Sequence, residues 1–97
     1  MRLSKEDAPL LAEFFKSFST ETRIEILYLL LAQKLDVSTI ASTLKLDQSL
    51  VSHQLKALKL AKLVKSEKDK QHVYYSLLDS HVKDIITVGL EHVKEER

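Results

Sequence analysis

The chain has no cysteine among its 97 residues. Disulfides and thiolate metal sites are thereby excluded, and the composition suits a reducing compartment. One glycine and one proline leave little room for the loop-rich connections of an all-β fold. No apolar run approaches the roughly 18 residues of a membrane span, and the N-terminal stretch lacks a secretory signal pattern. A cytoplasmic protein with no membrane partner is therefore expected. Leu, Lys and Glu are plentiful, which favours helices. The length points to a single domain, residues 1–97, small enough to lean on a partner subunit.

Charge is nearly balanced overall, at +1, but not along the chain. From Lys45 to His72 there are seven lysines against Asp47, Glu67 and Asp69, a local balance of +4, so the remainder carries −3. A lysine-rich segment is either a solvated face or the electrostatic footprint of a nucleic acid.

Apolar spacing predicts helices over about residues 6–18 (Leu10, Leu11, Phe14, Phe15, Phe18) and about 21–33, the latter capped by Thr20 and apolar on most sides, as a buried helix is. Pro9 falls early enough in the first to be tolerated. Val37, Ile40, Ala41 and Leu44 place a short third helix starting near Asp36 or Val37. After the connection Lys45-Leu46-Asp47, with Asp47 as cap, a fourth helix is expected over about 48–61.

That fourth helix has two faces. Val51, Leu55 and Leu58 form the apolar one. Ser49, Ser52, His53 and Lys56 recur at i, i+3, i+4, i+7 on the other, with Gln48 ahead of them. A short helix, a tight turn and a helix whose N-terminal end is small and polar form a helix-turn-helix. Gln pairs with base edges, hydroxyls reach bases or phosphates, and lysine neutralises phosphate. Residues 63–77 then alternate, with Val73, Tyr75 and Leu77 on one side and His72, Tyr74 and Ser76 on the other, which predicts strands. The polar centre Lys68-Asp69-Lys70-Gln71 reads as a hairpin tip, a wing whose Lys68 and Lys70 meet phosphates. The expected fold is mainly α with a small β-hairpin, a dimeric winged helix-turn-helix of five helices plus wing, and its partner is double-stranded operator DNA.

The last helix carries His81 and His92, with Asp79 and Glu95 beside them. A rise of ~1.5 Å per residue puts the two histidines ~16 Å apart, too far to share an ion. At ~100° per residue, however, His92 lies only ~20° from His81 and Glu95 ~40° to the other side. Asp79 fits the set only as an N-cap. An antiparallel pairing of this helix with its two-fold copy, crossing near residue 87 beside Gly89, brings Asp79 and His81 of one subunit to His92 and Glu95 of the other. Two equal sites of two imidazoles and two carboxylates result, a donor set that suits four-coordinate zinc. Plain solvated histidines are the alternative on spacing alone. Phe14, Phe15, Ile85 and Ile86 are expected to be buried in a homodimer made by the first and last helices. A zinc enzyme acting on a small organic substrate would need an open coordination position and a general base, and neither is evident.

On Thr22-Arg23-Ile24, the stretch Leu46–Val64 containing Ser49-Leu50-Val51-Ser52-His53-Gln54-Leu55, and the wing ending "VYYSL", the chain resembles the ArsR/SmtB family of winged-helix metal-sensing repressors. The last helix resembles that of the zinc-sensing branch: Asp-x-His, ten residues, then His-x-x-His or His-x-x-Glu, matched in the second form by Asp79, His81, His92 and Glu95. The resemblance implies Zn(II) as a regulatory ligand of a repressor that binds DNA metal-free and leaves it when loaded. Absence of the cysteine ligands found elsewhere in the family argues against cadmium, lead and arsenic(III). A regulator of the same fold that senses no metal, or one that takes Co(II) or Ni(II), remains the alternative.

Overall fold

The computed structural model describes residues 2–95; Met1, Glu96 and Arg97 lie outside them. The elements run α1 (Asp7–Lys16), α2 (Glu21–Leu29), β1 (Leu35–Asp36), α3 (Val37–Leu44), α4 (Gln48–Leu60), β2 (Val64–Asp69), β3 (His72–Leu77) and α5 (Ser80–Glu95). The five helices and the hairpin are those expected, and the chain is a winged helix-turn-helix. Among the described residues no helix is long and apolar enough to cross a membrane.

One element was not anticipated. β1 is only two residues long, yet it pairs antiparallel with β3 (Leu35 opposite Tyr75, Asp36 opposite Tyr74) and makes the wing a three-stranded sheet in the order β1-β3-β2. It also ends α2 early, at Leu29 rather than near 33, because residues 35 and 36 must be extended to pair. Lys34 strengthens the junction. Its Nζ donates to Glu67 Oε1 at 2.8 Å and lies 5.4 Å from the centre of the Tyr74 ring.

The core gathers Ile26, Leu27 and Leu30 of α2 and its end, Ile40 and Ala41 of α3, and Val51, Leu55 and Leu58 of α4. Leu63, Val64 and Tyr75 close it from the sheet side, and Val82 and Ile86 of α5 from another. Here α2 departs from its expected full burial: Ile24 and Tyr28 stay exposed, at 40% and 53%. The helix α1 buries none of its residues. It is joined to the body through Phe18, just past its end, which packs edge-on against Phe14.

Caps explain where the helices start and stop. Thr20 Oγ1 accepts from the Arg23 N–H at 3.2 Å, and Asp36 Oδ1 accepts from the Thr39 N–H at 2.9 Å. Asp47 has cap-like dihedrals, but its side chain makes no capping hydrogen bond, contrary to expectation. α3 and α4 end alike. Lys45 and Lys62 take φ of 58° and 65°, and the next residues donate back five positions, Leu46 to Ala41 and Leu63 to Leu58. Glycine usually fills such a left-handed position. An L-residue there costs about 1–2 kcal/mol, and this chain accepts it with lysine twice, then again with Lys70 at the wing tip (φ 60°).

The Asp36 carboxyl is held below its ordinary value, first by hydrogen bonds from Thr39 and then by the nearby His72, whose Nδ1 is 3.5 Å from Asp36 Oδ2. A depressed carboxylate stabilises the fold above the unfolded pKa, and the contribution is lost as pH falls through the folded value. Asp36→Ala is therefore expected to cost about 1 kcal/mol near neutral pH. The gap to wild type should close as pH is lowered from about 5 to about 2 in denaturant titrations. A penalty that stays constant across that window would contradict the assignment.

Candidate functional site

Two surfaces collect the residues that carry chemistry. The first is the exposed side of α4 with the wing. Gln48, Ser49, His53 and Lys56 are exposed and Ser52 is half-buried, while Val51, Leu55 and Leu58 on the opposite side are fully buried. The apolar face fixes the helix in the core, and the polar face is thereby held outward. Beyond it, β2 and β3 pair in register from Val64 opposite Leu77 to Asp69 opposite His72, leaving Lys70-Gln71 as a two-residue turn. Lys70 supplies the positive φ that a tight hairpin turn needs, and Lys68, opposite Val73, is exposed beside it. Lys59 Nζ donates to Ser66 Oγ at 2.6 Å and ties the end of α4 to the root of the wing.

The helix α4 has a second restraint that the sequence did not disclose. Arg23, near the start of α2, donates from Nε to Gln54 Oε1 at 2.8 Å and from Nη1 to the Ser17 carbonyl at 3.3 Å. One half-buried guanidinium thus connects the end of α1, the start of α2 and the middle of α4. The only local sign was Gln54 on the edge between the polar and apolar faces; its partner is 31 residues away.

The second surface is α5 with its N-terminal residue. Asp79 Oδ1 accepts from the backbone N–H groups of His81 and Val82 at 3.0 and 3.2 Å, so Asp79 caps α5. Its other oxygen lies 3.6 Å from His81 Nδ1. Asp79 and His81 therefore stand together at one end of α5. His92 and Glu95, both exposed, stand at the other. Within one chain the four do not meet: among the described residues no three His, Asp or Glu groups come close enough to hold an ion. The donor set, imidazole and carboxylate without thiolate, fits zinc if two chains contribute.

Between the two ends, the same side of α5 carries Ile85, half-buried, and Val88, 61% exposed, each within ~40° of His81 around the helix. Next to this stripe an open apolar groove of about 740 Å³ runs between α5, α2 and the end of α1, lined by Phe15, Ile24, Tyr28, Ile86, Gly89 and Val93 among others. Of the positions expected in a subunit interface, Ile86 is buried within its own chain, Phe14 and Ile85 are half-buried and Phe15 is 52% exposed. A Cβ on Gly89 would meet nothing within 4 Å. Nothing in the chain's own packing requires a glycine there.

Comparison with known proteins fits this geometry. Residues 20–66, from the Thr20 cap into β2, match the family model described as bacterial regulatory protein, arsR family. The chain is 36% identical over 93 residues to a transcriptional repressor SmtB homolog from Synechocystis sp., covering 96% of this chain and 70% of that protein. It is 35% identical over 94 residues to a cadmium resistance transcriptional regulatory protein CadC homolog from Staphylococcus aureus, covering 96% and 78%. Among solved structures, HlyU from Vibrio cholerae superposes with a TM-score of 0.81 at 32% identity, covering 88% of this chain and 92% of that one. The homodimeric winged helix-turn-helix domain Mb0332 from Mycobacterium bovis shares the fold, with a TM-score of 0.88 at 24% identity and coverage of 97% and 90%. With this coverage, and with the helix-turn-helix lying inside the matched segment, the chain belongs to the arsR family of bacterial transcriptional regulators and is a DNA-binding protein, not an enzyme.

Proposed function

We propose that the protein is a metal-responsive repressor: a homodimer that holds a palindromic operator when metal-free and lets it go when Zn(II) binds between its two α5 helices. The observation that carries this reading is the outward side of α5, with metal-binding side chains at both ends and exposed apolar residues between. Two such helices crossed antiparallel place Val88 and Ile85 in contact at the centre, and Asp79 and His81 of each chain beside His92 and Glu95 of the other. Bound zinc would supply a rigid tie between the helices. The name of the SmtB homolog, a transcriptional repressor, supports the repressor role.

The rest of the mechanism belongs to this chain's own residues. Gln48, Ser49, Ser52, His53 and Lys56 enter the major groove, and Lys68 and Lys70 contact backbone phosphates. Each dimer presents two α4 helices to successive grooves, so any change in the angle between the α5 helices changes their spacing. Arg23 makes that transmission stiff, because it joins the end of α1 to α4. Metal and DNA must then weaken each other's binding by the same factor, typically ~5–150-fold. The likeness to HlyU, which is named a transcriptional activator, supports a second reading, a regulator of this fold that acts without metal. Titrating zinc into the operator complex separates the two, and Co(II) and Ni(II) titrations test the metal.

Three outcomes are expected. Sedimentation at micromolar concentration should give a dimer with or without metal. Gly89→Ala should shift it toward monomer while adding about 1 kcal/mol of helix stability. A stable wild-type monomer would contradict the interface.

Ser52→Ala and His53→Ala should each weaken binding to a selected operator by about 1–2 kcal/mol, the worth of a hydrogen bond at a desolvated interface, and leave zinc affinity nearly unchanged. Neutralising Lys68 or Lys70 should lower the slope of log K against log salt by about one each. Unchanged operator affinity in both α4 variants would remove this face from the contact.

His81→Ala and His92→Ala should repress normally but stay on operator DNA when zinc is added. Glu95→Gln should keep a weaker response, because water can replace a ligand at an open helix end. Fluorescence anisotropy of labelled operator reads all three. Normal zinc-driven release from His92→Ala would rule the site out.

A further inference from the structure

In α4 the large apolar side chains divide sharply. Val51, Leu55 and Leu58 are fully buried, whereas Leu50 is 39% exposed in the first turn, among Gln48, Ser49 and His53. Leu50 stands apart from the fully buried side chains of α4 and keeps a substantial part of its surface open to solvent. It does not serve the helix end, where the third position favours Glu or Gln reaching back to the cap. Leu60, the other exposed leucine of α4, belongs elsewhere. It lies ~15 Å further along the helix, in a groove it shares with Leu10 and Phe14 of α1. Leu50 is thus a partly open apolar side chain at the flank of the polar face, in the first turn of α4, the end of a recognition helix that contacts base edges.

The major groove offers one apolar feature, the C5-methyl of thymine. We propose that Leu50 is a specificity-determining residue whose side chain packs on a thymine methyl, once in each half-site, next to the polar contacts of Ser49 and His53. Leucine has no donor or acceptor with which to address any other base edge. Burying it against guanine or cytosine would desolvate polar groups without partners. The consequence is a fixed A·T pair at one position of the half-site, chosen by shape and hydrophobicity rather than by hydrogen bonds.

The inference rests on α4 being the DNA-reading helix, and the test separates the two. The wild-type protein is first used to select sites from a random double-stranded library. The selected site is then resynthesised with deoxyuridine replacing thymidine at one position at a time, which removes only the methyl. Wild type should lose about fourfold in affinity per methyl removed at one position of each half-site, as expected for one buried methyl group. Leu50→Ala, first checked by its unfolding transition to remain folded, should bind the thymidine site more weakly by a similar factor and be indifferent to deoxyuridine there. If no deoxyuridine substitution affects wild type, or if Leu50→Ala keeps the same penalty, Leu50 does not read the methyl. Failure to enrich any site would overturn the reading of α4 itself.

Discussion

A straight helix cannot bring residues 81 and 92 to one point, and most of the functional reading depends on that rigidity. With a rise of ~1.5 Å per residue the two histidines are held ~16 Å apart. The structure leaves no local irregularity that would fold α5 back on itself: it runs unbroken from Ser80 to Glu95. Its N-terminus is fixed by the Asp79 cap and its inner side by Val82 and Ile86 in the core. The helix is therefore a bar of set length and orientation with a donor pair at each end. Any ion that takes both donor pairs must do so across a subunit boundary.

The same dependence on a partner runs through α1. None of its residues is fully buried, Phe14 alone being half-buried against the core, and it carries Leu10, Leu11 and Phe15 exposed at 68%, 50% and 52%. Its firm attachments are Phe18 and the Arg23 contact to the Ser17 carbonyl. That guanidinium also holds Gln54, so the end of α1 and the middle of α4 are joined by one side chain. Removing part of such a bridge leaves half-buried polar groups unpaired, which carries a cost in itself. The left-handed lysines at 45, 62 and 70 add to the same economy of design. They end α3, end α4 and turn the wing, the three places that fix how the reading face is presented, and each keeps a positive charge where glycine would leave none.

How much of this was legible from the residues alone follows from the range of each interaction. The five helices, the wing and the Asp79 cap rest on spacing and on neighbours within a few positions, which a sequence displays directly. The two faces of α4 were clear for the same reason. What escaped is non-local or conditional. β1 exists only because Leu35 meets Tyr75, and two residues have no periodicity to read. Arg23 finds Gln54 only once α2 and α4 have packed. Asp47 has the right residue type and dihedrals for a cap, but its side chain makes no capping bond. The exposure of Ile24 and Tyr28 was hidden because an apolar residue left open and one facing the core look identical in a string of letters.

The claim at the centre is that each metal site takes His81 from one chain and His92 from the other, and mixing two disabled variants tests it. His81→Ala and His92→Ala each leave both symmetric sites short of a ligand. A heterodimer of the two has one site with neither histidine and one fully intact. Co(II), followed by its optical absorption, should bind weakly to each variant alone. After subunit exchange the mixture should recover tight, four-coordinate binding at about a quarter of the wild-type capacity, as random pairing of a two-fold dimer requires. No recovery on mixing, or tight binding by either variant alone, would contradict the account.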